Sequence, residues 1–156
     1  MEVVSFQPEL AAAFTALNRA WIEQHFHIEA ADLKILADPK ASIVDLGGQI
    51  FFALDGDTPV GTVAAIKGPG HRFELAKMAV APSHRGRGLG ALLGEAVIAW
   101  AKEQGAEALF LLTNSSLTGA IRLYERLGFV QRPLPAPTDY ARADVYMELP
   151  FYRRLS

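Results

Sequence analysis

Met78-Ala79-Val80-Ala81-Pro82-Ser83-His84-Arg85-Gly86-Arg87-Gly88-Leu89-Gly90-Ala91 is the stretch on which the reading of this chain turns. Residues 72–80 read as a strand, and Pro82, which has no N–H to give a ladder, stops it. Downstream, Leu89, Leu92, Leu93, Ala96, Val97 and Trp100 recur at helical spacing, so a helix opens near Leu89 and closes at Gly105. A strand, a glycine turn and a helix in that order leave about four unpaired amides and a partial positive charge at the helix start. Glycines let an anion come close to the backbone, and Arg85 and Arg87 add attraction. The sharp reading is a site for a phosphate-bearing ligand. The plainer alternative is a basic turn whose glycines serve packing.

Two nucleotide loops do not fit. A P-loop ends in Gly-Lys-Ser/Thr, and no Lys follows these glycines. A dinucleotide fingerprint needs G-x-G-x-x-G and an acidic residue ending the next strand, whereas Gly86, Gly88 and Gly90 are two apart and that strand ends at Thr113-Asn114.

Outward from the loop, Val3 to Phe6 reads as a first strand. Pro8 then suits a first helical turn, and Glu9 to Gln24 carries Leu10, Phe14, Leu17 and Trp21 on one stripe. A short helix over Ala30 to Leu36 is stopped by Asp38-Pro39. Ile50 to Leu54 and Val60 to Ile66 flank the turn signal Asp55-Gly56-Asp57 and form a hairpin. After the glycine-loop helix come a strand over Ala108 to Thr113, a helix over Leu117 to Leu127 ended by Gly128, a strand from Phe129-Val130, a loop spanning Pro133 to Pro137 and a last strand over Val145 to Leu149. The order is β α α β β β α β α β β, an α/β mixture on one sheet. No repeat or linker interrupts it, so residues 1–156 read as one domain.

Composition narrows the classes further. With 51% hydrophobic and 21% charged residues, the chain is neither disordered nor collagen-like. It has no cysteine, which removes disulfides and thiolate metal sites and suits the cytoplasm, the default location. No signal peptide or membrane span is visible: the longest apolar run, Leu89 to Gln104, is broken by Glu95, Lys102 and Glu103. Residues 1–70 hold 4 basic and 9 acidic side chains and residues 71–156 hold 11 and 8, so nucleic acid is a poor partner while an anion site in the second half is not.

The residues now resemble a family, the GNAT superfamily of acetyl-CoA-dependent N-acetyltransferases. Arg85-x-x-Gly88-x-Gly90 is similar to its pyrophosphate motif Arg/Gln-x-x-Gly-x-Gly/Ala, behind the strand and proline of Met78 to Pro82. Ala120-Ile121-Arg122-Leu123-Tyr124-Glu125-Arg126-Leu127-Gly128-Phe129 resembles its A-x-x-L-Y-E-x-x-G-F stretch. The N-terminal half looks like small single-domain bacterial members. The resemblance implies a single mixed, mostly antiparallel sheet of about six to seven strands, with a splayed parallel pair formed by the strands ending at Val80 and Thr113, and about four flanking helices.

It also implies roles. Acetyl-CoA is the expected co-substrate, with no metal. Met78, Ala79 and Val80 are expected to meet its pantetheine arm through main-chain atoms, with the Val80 N–H polarising the thioester oxygen. Gly86, Arg87, Gly88, Leu89, Gly90 and Ala91, with Arg85, would cradle the pyrophosphate. Tyr124 matches the tyrosine that points at the sulfur; the plainer alternative is a core aromatic on an amphipathic helix. Glu74 is the expected base, and a solvated strand-end carboxylate is its alternative reading. The chain departs from the family at Leu112 and Leu117, where some members have an acid and many an Asn; Asn114, Ser115 or Ser116 could supply that polarity.

The first two helices and the loop before the last strand would wall the acceptor. They nominate Trp21, His25, His27, Glu29, Asp32, Tyr140 and Arg142, with Arg142 free to pair with a substrate carboxylate. The expected partner is the primary amine of a small molecule, amino acid or peptide, the acidic residues and Arg142 together suiting an amino-acid-like or peptide substrate; a homodimer is left open, and neither nucleic acid nor membrane is expected. A non-catalytic CoA-binding module is the alternative function.

Overall fold

The computed structural model describes residues 1–135 and 138–151. Its strands are β1 (Glu2–Ser5), β2 (Gln49–Asp55), β3 (Thr58–Lys67), β4 (Arg72–Val80), β5 (Ala108–Thr113), β6 (Val130–Arg132) and β7 (Val145–Pro150), and its helices are α1 (Ala11–His25), α2 (Ala30–Ala37), α3 (Leu89–Glu103) and α4 (Thr118–Leu127). They form one seven-stranded sheet ordered β1-β2-β3-β4-β5-β7-β6. Among the described residues only β4 and β5 run parallel, because α3 carries the chain between them as a crossover. The expected mixed sheet with one parallel pair is therefore present. Pro8 opens a short 3-10 turn, Pro8–Leu10, rather than α1 itself. One element was not anticipated: a π-helical turn, Lys40–Val44, follows the Pro39 at which the sequence pattern stops. It buries Ile43 beneath the sheet.

The two faces of the sheet carry separate cores. Ile50, Phe52 and Ala64 face Phe14 and Ile22 of α1 and Leu36 of α2. Ala53, Val63 and Leu75 join Leu93 and Val97 of α3, with Leu109, Leu111 and Met147, on the other side. In β4, Phe73 and Leu75 belong to the α3 side, so alternation turns Glu74 between them toward α1 and α2.

A bulge then changes the alternation. Thr62 pairs with Ala79 and Ala64 with Ala76, leaving Lys77 and Met78 opposite the single residue Val63. Lys77 absorbs the extra residue with φ 56°, a left-handed conformation that a side chain adopts only at a cost. After it, Met78 and Val80 pack toward the α3 core while Lys77 reaches Asp32 on α2.

Candidate active site

Parallel pairing of β4 with β5 covers only Arg72↔Ala108, Phe73↔Leu109 and Glu74↔Phe110. Beyond these pairs the strands part, and the fork opens toward Val80 and Thr113. On the other edge of β4 the Ala81 N–H donates to the Val60 carbonyl at 2.8 Å. The alternation of an antiparallel ladder therefore turns the Val80 amide and carbonyl away from β3 and into the fork. It gives the polar atoms of Ala79 to Thr62, so of these two expected main-chain contacts Val80 is the one directed into the fork.

Gly86 and Gly88 both have positive φ, 76° and 78°, and no atom stands within 4 Å of where a Cβ would sit. The glycines are required by the turn, and the space they leave is open. Among the described residues no turn or side-chain acceptor takes the amides of Gly86 to Ala91. The Arg85 guanidinium folds backward instead of over the loop: its Nε donates to the Val80 carbonyl at 3.3 Å and its Nη2 to Gln24 Oε1 at 3.0 Å, tying the fork to α1. Arg87 is exposed. His84 Nε2 lies 2.8 Å from Asp55 Oδ2, anchoring the loop to the β2–β3 turn.

Gly90 and Gly94, one helical turn apart, seat α4. A Cβ on either would stand 2.8 Å from Leu123 Cδ2 or 2.5 Å from Leu127 Cδ1, respectively. These glycines are packing sites for the α4 side chains, which brings Tyr124 between Leu123 and Leu127 to the fork. Its ring lies edge-on to Phe129, 6.1 Å between centroids. Burial pushes its phenol up to about 12, so it remains a proton donor at neutral pH.

Beside the fork lies a cavity of about 280 Å³ whose wall includes Trp21, Glu74, Met78, Asn114, Tyr124 and Tyr140. Glu74 enters it from a central strand among apolar neighbours. Burial, assisted by the negative charge of Asp139 and opposed by Lys77, raises its carboxyl to about 7. Such a group is half ionised near neutrality and can take up a proton there. Leu112 and Leu117 also line the cavity, so the two departures from the family pattern put apolar side chains in its wall. The side chain of Asn114 is engaged: Nδ2 donates to the Arg142 carbonyl at 2.7 Å and Oδ1 accepts from the Ser116 N–H at 2.9 Å. Ser115 donates its N–H and hydroxyl to Asp144, both at 2.8 Å.

The acceptor candidates divide. Trp21, Tyr140 and Arg142 line the cavity. His25 and His27 are exposed and outside its wall; the His25 ring packs on Trp21 at 4.8 Å, and the His27 carbonyl accepts from Arg142 at 3.3 Å. Glu29, Asp32 and Arg142 form an ion network with each other. Arg142 donates to Asp32 Oδ1 and Oδ2 at 2.6 and 2.8 Å and to Glu29 Oε2 at 3.0 Å. The expectation that Arg142 would receive a substrate carboxylate therefore gives way to an internal one.

Lys77 completes the network and was not singled out by the sequence reading. It donates to Asp32 Oδ1 at 2.6 Å and to the Tyr140 hydroxyl at 3.0 Å. A lysine inside the otherwise apolar run Leu75 to Val80 was the available signal. Asp32, with its side chain 0% exposed, would be raised by burial, but hydrogen bonds from Arg142, Lys77 and the Glu29 amide outweigh that and bring it down to about 2. Lys77 is lowered by burial, against the pull of Asp32. The network joins α2, the β4 bulge and the loop before β7.

The acetyltransferase (GNAT) family model matches residues 10–129. N-acetyltransferase 8B of Rattus norvegicus is 31% identical over 114 residues, 70% of this chain and 49% of that protein. The chain spans about half the length of the curated relatives it matches first. Among solved structures, an acetyltransferase of the GNAT family from Staphylococcus aureus superposes with a TM-score of 0.84 at 21% identity, covering 94% of this chain and 96% of that one. A Salmonella typhimurium structure containing its cofactor acetyl-CoA gives 0.76 at 23%, covering 100% and 96%. Both have the same fold. With the family match over residues 10–129, on a forked sheet with a glycine loop at its open end, the chain belongs to the acetyltransferase (GNAT) family.

Proposed function

We propose that the protein is an acetyl-CoA-dependent N-acetyltransferase that acylates a primary amine by direct attack. One observation carries this: Glu74, raised to about 7, and the protonated Tyr124 share a single cavity at the fork. The glycine loop fits a diphosphate, since its amides are uncommitted and Gly86 and Gly88 leave open space above them. Bound acetyl-CoA supplies an activated thioester. The amides of Gly86 to Ala91 would hold its diphosphate, and the edge of β4 at Val80 its amide-rich arm. The Val80 N–H is aimed to polarise a carbonyl oxygen in the fork. Glu74 takes the proton of the incoming ammonium, directly or through water, and Tyr124 donates a hydrogen bond or proton to the departing thiolate.

Free thiol release, measured with acetyl-CoA and a panel of amines, tests the reading; CoA binding with no turnover of any amine counts against it. Tyr124→Phe is expected to lower kcat by about 10- to 100-fold while CoA affinity stays within about twofold. An unchanged kcat removes the assigned role. Gly88→Val forces a β-branched residue to positive φ, a strain of about 1–3 kcal/mol, and is expected to weaken CoA binding by about tenfold or more in calorimetric titration. Equal affinity would detach the loop from the diphosphate.

A further inference from the structure

The charges on the cavity wall restrict the acceptor. Its two cations, Lys77 and Arg142, are both held by Asp32, and Arg142 also by Glu29; the side chains of Lys77 and Arg142 are only 6% and 17% exposed. In charge the four residues cancel. Two carboxyls remain on the wall, Glu74 and Asp139, and among the described residues neither is in an ion pair. The uncompensated charge at neutral pH, Asp139 and the ionised fraction of Glu74, is therefore negative, which attracts an ammonium and repels a carboxylate.

Much of the rest of the wall is apolar: Trp21 and Phe26, whose rings lie 6.1 Å apart between centroids, line it together with Ile66, Leu112 and Leu117. The Tyr140 ring has its face occupied by Lys77 and Arg142, at 4.5 and 4.7 Å. A cavity of about 280 Å³ that also receives the reacting thioester end leaves room for a compact body.

Building on the acetyl-transfer reading, we propose that the acceptor is a small amine carried on an apolar or aromatic body and lacking a carboxylate, rather than an amino acid. A free amino acid would place its carboxylate beside Glu74 and Asp139 with no unpaired cation to receive it.

The test uses matched amines in two measurements. Phenethylamine and phenylalanine share a body and differ by the carboxylate. Binding without acetyl-CoA is read from tryptophan fluorescence, with Trp21→Phe separating the cavity signal from Trp100, which packs on Phe73 in the other core. Turnover is read as thiol release. Phenethylamine is expected to exceed phenylalanine by at least about 100-fold in kcat/KM, and to give a Trp21-dependent signal that phenylalanine does not. Turnover that favours phenylalanine overturns the assignment while leaving acetyl transfer standing. Ordered binding with no thiol release for any amine supports the acceptor class and removes the transfer reading. Neither binding nor release overturns both.

Discussion

Glu74→Gln is expected to reduce kcat/KM by about 100- to 10,000-fold, the range for loss of a general base, and also to stabilise the fold at pH 8. The two effects share one cause. β4 places the carboxyl on the α1/α2 side of a central strand, where burial raises it from 4.5 to about 7. A carboxyl whose folded value lies above its unfolded value binds more protons in the native state between those two values. Stability is therefore full below about pH 4.5, falls as pH rises toward 7 and stays low above it. Discounting for the part of the side chain that meets solvent, about 1–3 kcal/mol is regained at pH 8 when glutamine replaces the glutamate, and about none at pH 4. With Glu74 intact, kcat/KM is expected to rise about tenfold per pH unit below 7 and to level off above it. Chemical denaturation at both pH values, with a pH–rate profile, checks the pair. A Glu74→Gln variant with native turnover, or one less stable at pH 8, would count against the assignment.

Asp32→Ala is expected to have the largest effect on stability, about 3–5 kcal/mol, because it leaves Lys77 and Arg142 without the carboxylate that holds both. Three elements lose their joint at once: α2, the β4 bulge and the segment from Tyr140 to Arg142. The wall around Tyr140 then moves, so the KM for amine should rise along with the loss of stability. Asp32 lies at about 2 in the fold against 3.8 outside it, so it contributes about 2 kcal/mol above pH 3.8 that is lost as pH falls toward 2. Asp32→Asn should abolish that acid limb and cost less than Ala, since the amide oxygen still accepts one hydrogen bond. Urea unfolding measures both variants; a cost below about 1 kcal/mol for Ala would show that the network does not hold the site together.

Local rules made much of this protein legible from its residues. The apolar runs of β2 and β3 around the turn signal Asp55-Gly56-Asp57, period 3.6 in α3, and stops at Pro82, Gly105 and Gly128 depend only on near neighbours, and the elements lie where those signals put them. The glycine loop was legible for the same reason: positive φ at Gly86 and Gly88 is a demand that the chain answers locally. The π turn at Lys40–Val44 was not, because the burial of Ile43 against the sheet, rather than any propensity, holds it.

The charged half of the site could be settled only by tertiary structure. Asp32, Lys77 and Arg142 are 45 and 65 residues apart along the chain, and no spacing rule brings them together. The bulge at Lys77 turns that side chain from one face of the sheet to the other, reversing what simple alternation predicts for it. Sequence alone determined that a strand, a glycine turn and a helix present free amides to an anion. Folding decided which charges cancel, which leave a field, and which carboxyl is buried deeply enough to titrate near neutrality, because pairing and desolvation depend on distances through space rather than along the backbone.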